Sequence, residues 1–225
     1  MFENFFFVAL PYIAILLLVG GTIVRAFKNH WVWSARGDYL WTTRTTGFFG
    51  RQTIGPAALC IHWGLITLFI THLIGFIGGG YNLSSWVEVF RWVGMIGGLM
   101  LLYGLLWALY RRIFNLQVKA MSQADDYITL SFLIIIVSFA LWQSLVEQLF
   151  GISYAAGPWV GSIFTFQPDA SLISGAPLVN QLHIIFALLF FCYFPFSKLV
   201  HAASYPFSYF TRPRISMRTY WGLKK

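Results

Sequence analysis

Four histidines lie in or directly beside long apolar segments of the chain. His62 and His72 share one segment, and His183 and His201 lie in and just beyond the last one. An ionisable side chain inside a membrane span is costly, so a functional role is the default hypothesis for each. The alternative is that all four are hydrogen-bonded histidines that only pack helices together.

The spacing within each pair limits what it can bind. At about 1.5 Å per residue, His62 and His72 are about 15 Å apart along one helix, so they cannot ligate the same ion. His183 and His201 are about 27 Å apart in a straight helix and face the same way. A tilt or a kink near Pro195 has to absorb the difference in length.

Composition places these histidines in a membrane protein. Of 225 residues, 58% are hydrophobic and only 10% are charged. A bilayer core needs about 20 apolar residues per helix, and five segments qualify, namely 5–24, 53–78, 89–110, 127–146 and 178–201. We predict an all-α integral membrane protein, a single domain over 1–225 that ends in a basic cytoplasmic tail at 202–225.

The basic residues predict the orientation of the chain. Of the 15 Lys and Arg residues, all but Arg91 fall in the first and third connections or in the C-terminal part. Because cytoplasmic connections carry the excess of positive charge, we expect the N-terminus outside and the C-terminus in the cytoplasm. The net charge of +8 therefore reflects orientation, and we expect no nucleic-acid partner. We expect the N-terminal segment to remain as the first span, because no basic region precedes it.

This orientation pairs the histidines. The second segment runs outward and the fifth runs back, so His72 and His183 lie toward the outside and His62 and His201 toward the cytoplasm. Each site then has two opposed imidazoles, whereas zinc takes three or four protein ligands. Two axial nitrogens on a porphyrin fill the iron coordination, which suits electron transfer. We predict two haems b stacked between helices 2 and 5.

A competing hypothesis from another class is a small transporter whose histidines relay protons. It predicts no pigment and an internal sequence symmetry, which the chain does not display. The two cysteines, Cys60 and Cys192, are interpreted as small apolar packing residues. His30 lies in the basic first connection beside Trp31 and Trp33, where an interfacial or partner contact is expected.

Other features concern packing and connections. Gly94 and Gly98 fit a close helix contact of the small-xxx-small type. The alternative is that glycines leave flat space for a macrocycle, with Gly64, Gly75, Gly94 and Gly97 as the candidates. The string Ser122-Gln123-Ala124-Asp125 has the spacing of a capping box that starts the fourth helix, and we interpret Asp125 and Asp126 as its entrance. The connection over 147–177 is long and predicts a short helix of its own.

The whole chain resembles the gamma subunit of respiratory nitrate reductase, a membrane di-haem cytochrome b. The five spans, the ten- and eighteen-residue histidine spacings and the basic tail carry the resemblance. Local strings agree as well: Pro11-Tyr12-Ile13-Ala14, His72 followed by Gly75, Arg111-Arg112-Ile113-Phe114, and Phe194-Pro195-Phe196-Ser197-Lys198-Leu199-Val200-His201.

The resemblance implies a function. Menaquinol or ubiquinol from the quinone pool is oxidised near the outer haem, held by His72 and His183, and electrons pass through the inner haem, held by His62 and His201. A cytoplasmic iron–sulfur subunit receives them and passes them to a molybdenum catalytic subunit that reduces nitrate. The complex resides in the plasma membrane of a prokaryote. An alternative is the same conduit in another redox complex, for example in sulfur metabolism or reducing quinone.

The resemblance also implies contacts with the partner subunit and with the haems. The basic residues of the cytoplasmic side, including Arg111, Arg112, Arg212 and Arg214, are expected to dock the partner or to pair with haem propionates; solvated positive-inside charge is the alternative.

One departure affects the quinol site. In a member of the family a lysine in the second connection helps to bind quinol, and this chain has no lysine between Lys28 and Lys119. Our candidates for the site are Gly75, Trp86 and Arg91. Arg91 could replace the lysine, and the alternative for it is an interfacial anchor.

Overall fold

A computed structural model describes residues 2–28, 51–81, 83–147, 149–150 and 156–204. Within these residues, five helices are long and apolar enough to cross a membrane. Helices are expected there because a bilayer core offers no water to backbone N–H and C=O groups. For the described residues, the prediction of an all-helical protein with five helices long and apolar enough to span a membrane is confirmed.

The five long helices follow the predicted order. The first, α1, covers residues 2–28 and contains π-helical turns at Phe5–Ala9 and Leu17–Gly21. The others are α2 (Arg51–Gly80), α3 (Ser84–Phe114), α5 (Ala124–Trp142, continuing as a π-helical turn over Gln143–Glu147) and α8 (Leu178–Tyr193). Consecutive helices run in opposite directions. We call the end near the α2–α3 turn the Tyr81 end and the opposite end the Asp126 end.

Short helices join the long ones or follow the last of them. They are α4 (Leu116–Ala120), α6 (Gly157–Phe164), α7 (Ser171–Ser174) and α9 (His201–Ser204). The long connection before α8 therefore contains two short helices. The indole N–H of Trp159 in α6 donates a hydrogen bond to the Phe7 carbonyl at 3.0 Å, and the Tyr12 hydroxyl donates to the Ile163 carbonyl at 3.0 Å. These two bonds fasten α6 against α1.

The fifth helix is shorter than the predicted segment 178–201. It ends at Tyr193, and 3₁₀ turns at Phe194–Phe196 and Lys198–Val200 follow before α9 begins at His201. Pro195 cannot donate a helical hydrogen bond, and the extended backbone of Ser197 completes the break. The kink expected near Pro195 is therefore present, and residues 178–201 do not form one continuous helix. The direction of the His201 side chain lies outside the described residues.

Glycines bring α2 and α3 into close contact. A Cβ atom on Gly64 would lie 2.8 Å from the Gly97 carbonyl oxygen, and one on Gly104 would lie 2.7 Å from the Ala57 carbonyl oxygen. Gly94 faces Thr71 in the same contact. Without a side chain at these positions the two backbones approach closely, which is how membrane helices gain packing energy.

The glycines serve different purposes. Gly98 faces α5, where a Cβ would lie 3.1 Å from Leu141. Gly75 differs, because nothing lies within 4 Å of the position a Cβ would take. The packing interpretation therefore holds for Gly64, Gly94, Gly97 and Gly98, and open space remains only at Gly75 among the four macrocycle candidates.

Two clusters of buried apolar side chains complete the bundle. One joins α1, α6, α7 and α8 through Phe7, Leu10, Ala14, Trp159, Ile163, Ile173, Ala176 and Leu188. The other joins α3, α5 and α8 through Leu101, Leu105, Ala108, Leu130, Leu133, Val137, Leu141 and Phe190. Because α8 takes part in both clusters, its histidine is held in a fixed position.

The α2–α3 contact makes a prediction for Gly64. The change Gly64→Ala places a methyl group against backbone atoms, so the helices must separate, at a cost of about 1–3 kcal/mol. The midpoint of unfolding in detergent should fall. The matched change Gly55→Ala lies in the same helix with nothing within 4 Å of the new atom, and it should leave the midpoint unchanged or slightly raised. Equal midpoints for the two variants would contradict this account of the contact.

Candidate functional site

His72 of α2 and His183 of α8 face each other across the bundle. Their ring centroids are 6.3 Å apart and their ring planes are inclined by 20°. A histidine nitrogen binds a metal at about 2 Å and its ring centre lies about 1 Å farther back, so two imidazoles on opposite sides of one iron have centres about 6 Å apart. The observed separation fits a metal held between the two rings.

Backbone carbonyls determine which nitrogen of each ring is free. The Nδ1 atoms of His62 and His72 lie 2.6 Å from the carbonyl oxygens four residues earlier, those of Ala58 and Leu68. A carbonyl oxygen only accepts, so each Nδ1 carries the proton and each Nε2 is left with a lone pair. A hydrogen bond of this kind fixes the tautomer and orientation of a metal-binding imidazole.

His183 is oriented by a neighbouring helix. Its Nδ1 lies 3.0 Å from the carbonyl oxygen of Ile136 in α5. The Nε2 atom of His183 therefore also remains available as a ligand. The His72 ring is oriented by a carbonyl of α2 and the His183 ring by a carbonyl of α5. The distance between the two rings is therefore determined by the packing of α2, α5 and α8.

The donor set fits a haem. In the part of the chain that the structure describes, no group of three or more His, Cys, Asp or Glu residues could hold a metal ion. The His72–His183 pair offers two nitrogens, which is the number that a bis-imidazole haem needs. His62 and His72 are also exposed on an apolar helix, and a bound macrocycle would cover imidazoles that are costly to leave in lipid.

A cavity of about 200 Å³ lies beside this pair. It is formed by α2, α3, α5, α8 and the start of α6, and its lining includes His72, Gly75, Arg91, Gln143, Ser144, Asn180 and His183. The first turns of α3 and α8 contribute to its walls, so it lies toward the Tyr81 end of the bundle.

The predicted quinol-site residues fall in two places. Gly75 and Arg91 line the cavity together with the two histidines. Trp86 is 57% exposed and packs against Phe90 with ring centroids 6.4 Å apart, outside the cavity lining. Polar residues of the lining that the sequence did not reveal are Gln143, Ser144 and Asn180. Asn180 had a detectable signal, because a polar residue three positions before His183 shares its helix face.

The second predicted pair is described only in part. His62 lies about 15 Å from His72 along α2, toward the Asp126 end. His201 begins α9, and its side chain lies outside the described residues, as does His30. The pairing of His62 with His201 therefore stays a prediction.

An ion cluster at the Asp126 end holds the segment that leads to His201. The carboxylate of Asp126 accepts a hydrogen bond from the Lys198 ammonium at 2.9 Å and lies 3.5 Å from the Arg112 guanidinium. Asp125 accepts a hydrogen bond from the Tyr193 hydroxyl and one from the Lys198 backbone N–H at 3.3 Å. Both carboxylates thus tie α5 to the end of α8.

Asp126 also begins α5. Its carboxylate accepts a hydrogen bond from the Gln123 backbone N–H at 2.9 Å. The capping box therefore uses Gln123 and Asp126, one residue later than the predicted Ser122 and Asp125, because the Asp126 carboxylate is the one that reaches back to the helix start.

Arg25 of α1 completes the hold on this segment. Its guanidinium donates hydrogen bonds to the carbonyls of Pro195 and, at 3.0 Å, Ser197. Both carbonyls lie in the break after α8, where helical partners are missing. The side chain of Ser197 is completely buried. The segment from Phe194 to Val200 is therefore bound to α1 through Arg25 and to α5 through Asp126, which also pairs with Arg112 of α3.

A bundle of membrane-spanning helices that holds opposed imidazoles between two of its helices defines the class of the membrane cytochromes b. The comparisons with known proteins agree. The chain matches the family described as "Nitrate reductase gamma subunit" over residues 3–220. The chain belongs to the nitrate reductase gamma subunit family.

Individual relatives are similar at about a quarter identity. The nitrate reductase gamma chain of Bacillus subtilis (strain 168) is 26% identical over 219 residues, which cover 93% of this chain and 95% of that one. The respiratory nitrate reductase 1 gamma chain of Escherichia coli (strain K12) is 27% identical, covering 92% and 93%. The nitrate reductase-like protein NarX of Mycobacterium tuberculosis (strain H37Rv) is 26% identical over 97% of this chain but only 34% of its own length.

Family membership confirms the resemblance seen in the sequence. The family consists of haem-containing cytochrome b subunits that anchor nitrate reductase in the membrane. This chain is therefore a multi-pass membrane subunit of an oxidoreductase complex, and its partners include the catalytic subunit of that complex.

The ion cluster makes a prediction for Asp126. The change Asp126→Asn removes the charge that pairs with Lys198 and Arg112, and loss of such charge-assisted hydrogen bonds costs about 1.5–3 kcal/mol each. The unfolding midpoint in detergent should fall, and protease should cut residues 198–204 faster.

The control for this prediction is Asp169→Asn. A hydrogen bond from the Ser171 backbone N–H holds Asp169, which lies exposed in the connection between α6 and α7. This variant should resemble the unmodified protein in both measurements. Cleavage of 198–204 at the same rate in both variants would contradict the proposed role of Asp126.

Proposed function

We propose that this chain oxidises quinol and conducts electrons across the membrane to a cytoplasmic iron–sulfur subunit, which supplies a molybdenum subunit that reduces nitrate. Two haems b are proposed, one between His72 and His183 and one between His62 and His201. The observation that carries the proposal is the facing pair of His72 and His183, 6.3 Å apart with both Nδ1 atoms bound to carbonyls.

The residues of the chain have a defined part in this function. When bound, each haem supplies a one-electron redox centre. The Leu68 and Ile136 carbonyls keep the Nδ1 protons in place and direct the Nε2 lone pairs of His72 and His183. A hydrogen bond from the other ring nitrogen to a carbonyl increases the basicity of the metal-binding nitrogen and tunes the metal.

The spacing along α2 supports a path across the membrane. His62 and His72 lie about 15 Å apart along the helix, which is half the thickness of a bilayer core of about 30 Å. One redox group at each histidine would place one group in each half of the membrane. The distribution of Lys and Arg supports a path that runs from the outside, at the Tyr81 end, to the cytoplasm at the Asp126 end.

The cavity supports a quinol site at the Tyr81 end. It places Arg91 and Gly75 beside His72 and His183, and the missing side chain of Gly75 leaves room for a planar ring. Oxidation of one quinol yields one quinone, two electrons and two protons. With the proposed orientation the protons leave outside while the electrons move inward, which stores about 2.3 kcal/mol per charge for each 100 mV.

The Asp126 end supports docking of the partner, although the arginines there have other contacts. Arg112 pairs with Asp126, and the side chain of Arg111 is buried. The exposed residues around α4 include Phe114, Leu116, Gln117 and Lys119. An apolar pair next to a lysine suits a protein partner, so we place the contact of the iron–sulfur subunit on α4.

The first test concerns the ligands. The change His72→Ala removes one axial nitrogen, so the purified chain should lose one of its two haems, measured as pyridine haemochrome per chain. The matched change His30→Ala should keep both haems, because His30 is expected to contact the interface or a partner. Two haems in the His72→Ala protein would contradict the assignment, as would loss of haem from the His30→Ala protein.

The second test concerns Arg91. If its guanidinium binds a quinol oxygen, Arg91→Leu should raise the quinol concentration for half-maximal haem reduction about tenfold, since one charge-assisted hydrogen bond is lost. Arg91→Lys keeps a positive donor and should retain part of the affinity. The control Lys119→Leu changes a basic residue at the other end of the bundle. Unchanged quinol dependence in Arg91→Leu with a normal haem content would favour the interfacial-anchor role.

A further inference from the structure

Asn180 is a buried polar residue that the helix packing does not explain. It lies in the first turn of α8, only 5% exposed, and three residues before His183. Residues three apart on a helix are neighbours on one face, and both side chains line the cavity. Among the described residues, the Asn180 side-chain oxygen, Oδ1, has no hydrogen-bond donor.

An unpaired acceptor at this depth is uncommon. Nearly all buried polar atoms in proteins have a hydrogen-bond partner, and an exception needs an explanation. Lipid cannot supply a donor. The nearby Gln143 amide directs one of its two N–H groups to the Val179 carbonyl at 3.3 Å and does not donate to Asn180. Among the described residues of the site, none therefore donates to Asn180 Oδ1.

Arg91 offers the complementary group in the same cavity. Its guanidinium has five donor hydrogens and no acceptor. In the described part of the chain it takes part in no hydrogen bond or ion pair. The cavity lining thus brings together a free donor on α3 and, on α8, an asparagine whose buried Oδ1 has no donor, beside the two facing imidazoles.

The chemistry of these two groups selects a ligand. A hydroxyl group can donate one hydrogen bond and accept others. A ligand hydroxyl can therefore donate to Asn180 Oδ1, and a ligand oxygen can accept a hydrogen bond from the Arg91 guanidinium. An ionised haem carboxylate accepts from Arg91 but has no hydrogen to donate to Oδ1. A quinone carbonyl has none either, and its oxygen would repel Oδ1. With the amide oriented as in the structure, so that Oδ1 and not the NH2 group is the unpaired atom, the reduced quinol ring is the form that matches both groups.

We propose that Asn180 accepts a hydrogen bond from a hydroxyl of the bound quinol and thereby makes this site prefer quinol to quinone. The inference rests on the proposed quinol oxidation and adds a binding residue to that same site. An amide does not titrate, so Asn180 binds the hydroxyl and does not take its proton. Once the ring is oxidised, the hydrogen bond is lost and the quinone is released more easily.

The test uses two redox-inert ring analogues and measures binding rather than turnover. One is a 3-alkyl-2-methyl-1-naphthol, which carries one hydroxyl, and the other is its methyl ether, which has none. Affinities are measured with the haem-loaded, detergent-purified chain by quenching of tryptophan fluorescence. The unmodified chain should bind the naphthol about tenfold more tightly than the ether, as expected for one hydrogen bond to a buried group.

The variant Asn180→Leu keeps a similar volume without the acceptor. It should lose about tenfold in naphthol affinity, bind the ether unchanged, and no longer distinguish the two. Asn180→Ser keeps a small hydrogen-bond acceptor and should recover part of the preference for the naphthol over the ether. If the leucine variant does not assemble, the serine variant provides the same comparison with the unmodified chain. The control is Thr22→Val in α1, which removes another buried oxygen without a described partner and should leave both affinities unchanged.

Each other outcome overturns a stated claim. If Asn180→Leu binds the naphthol as tightly as the unmodified chain, the role of Asn180 is wrong and the quinol site stands. If the variant changes the haem spectrum or midpoint potential but keeps the preference for the naphthol, Asn180 contacts the haem instead. If the unmodified chain binds neither analogue and quinol does not reduce its haems, both the proposed function and this inference are wrong.

Discussion

The absence of water inside a bilayer is the constraint on which this structure depends. Every backbone group and every polar side chain in the membrane has to find its partner within the protein. The long helices satisfy the backbone, and the carbonyls of Ala58, Leu68 and Ile136 satisfy one nitrogen of each described membrane histidine. The other nitrogen of each ring is left for a ligand. The same constraint makes the unpaired oxygen of Asn180 informative, because lipid offers no substitute for the missing donor.

Helix packing turns this chemistry into geometry. The glycines of α2 and α3 let these helices approach until backbone atoms would meet any added Cβ, which fixes the position of His72. The α8 helix packs into both apolar clusters, and Ile136 of α5 orients His183. Where α8 ends, Arg25, Asp125 and Asp126 fasten the segment that continues to His201. The side-chain contacts are therefore concentrated around the histidines and the chain that leads to them.

The sequence predicted those parts of the fold that depend on local composition. Apolar length was enough for the five spans, and histidine spacing was enough to propose that His72 faces His183. A kink near Pro195 was expected, but the end of α8 at Tyr193 was not, because the break is stabilised by Arg25, about 170 residues earlier in the chain. The capping residue was misplaced by one position, since Ser122 and Gln123 can both begin a helix and only the position of the Asp126 carboxylate decides between them.

The neutral polar residues of the cavity were also not predicted from the sequence. Asn180 carries no charge and does not stand out in an apolar segment, although its position three residues before His183 was visible. Whether Gly64 or Gly75 contacts another helix also depends on helix rotation, which composition does not report. In contrast, Arg91 stood out in the sequence because every other Lys and Arg falls in the first or third connection or in the C-terminal part, and the structure places it in the cavity lining.

The visible spectrum of the purified chain, oxidised and then reduced with dithionite, tests the central claim most directly when combined with a pyridine haemochrome assay. The account predicts two haems b per chain, both with the low-spin spectrum of iron bound by two imidazoles. A colourless chain, or a high-spin spectrum from iron with an open position, would contradict it. A single haem per chain would contradict the second pair, His62 and His201, and leave the facing pair of His72 and His183 as the one redox site.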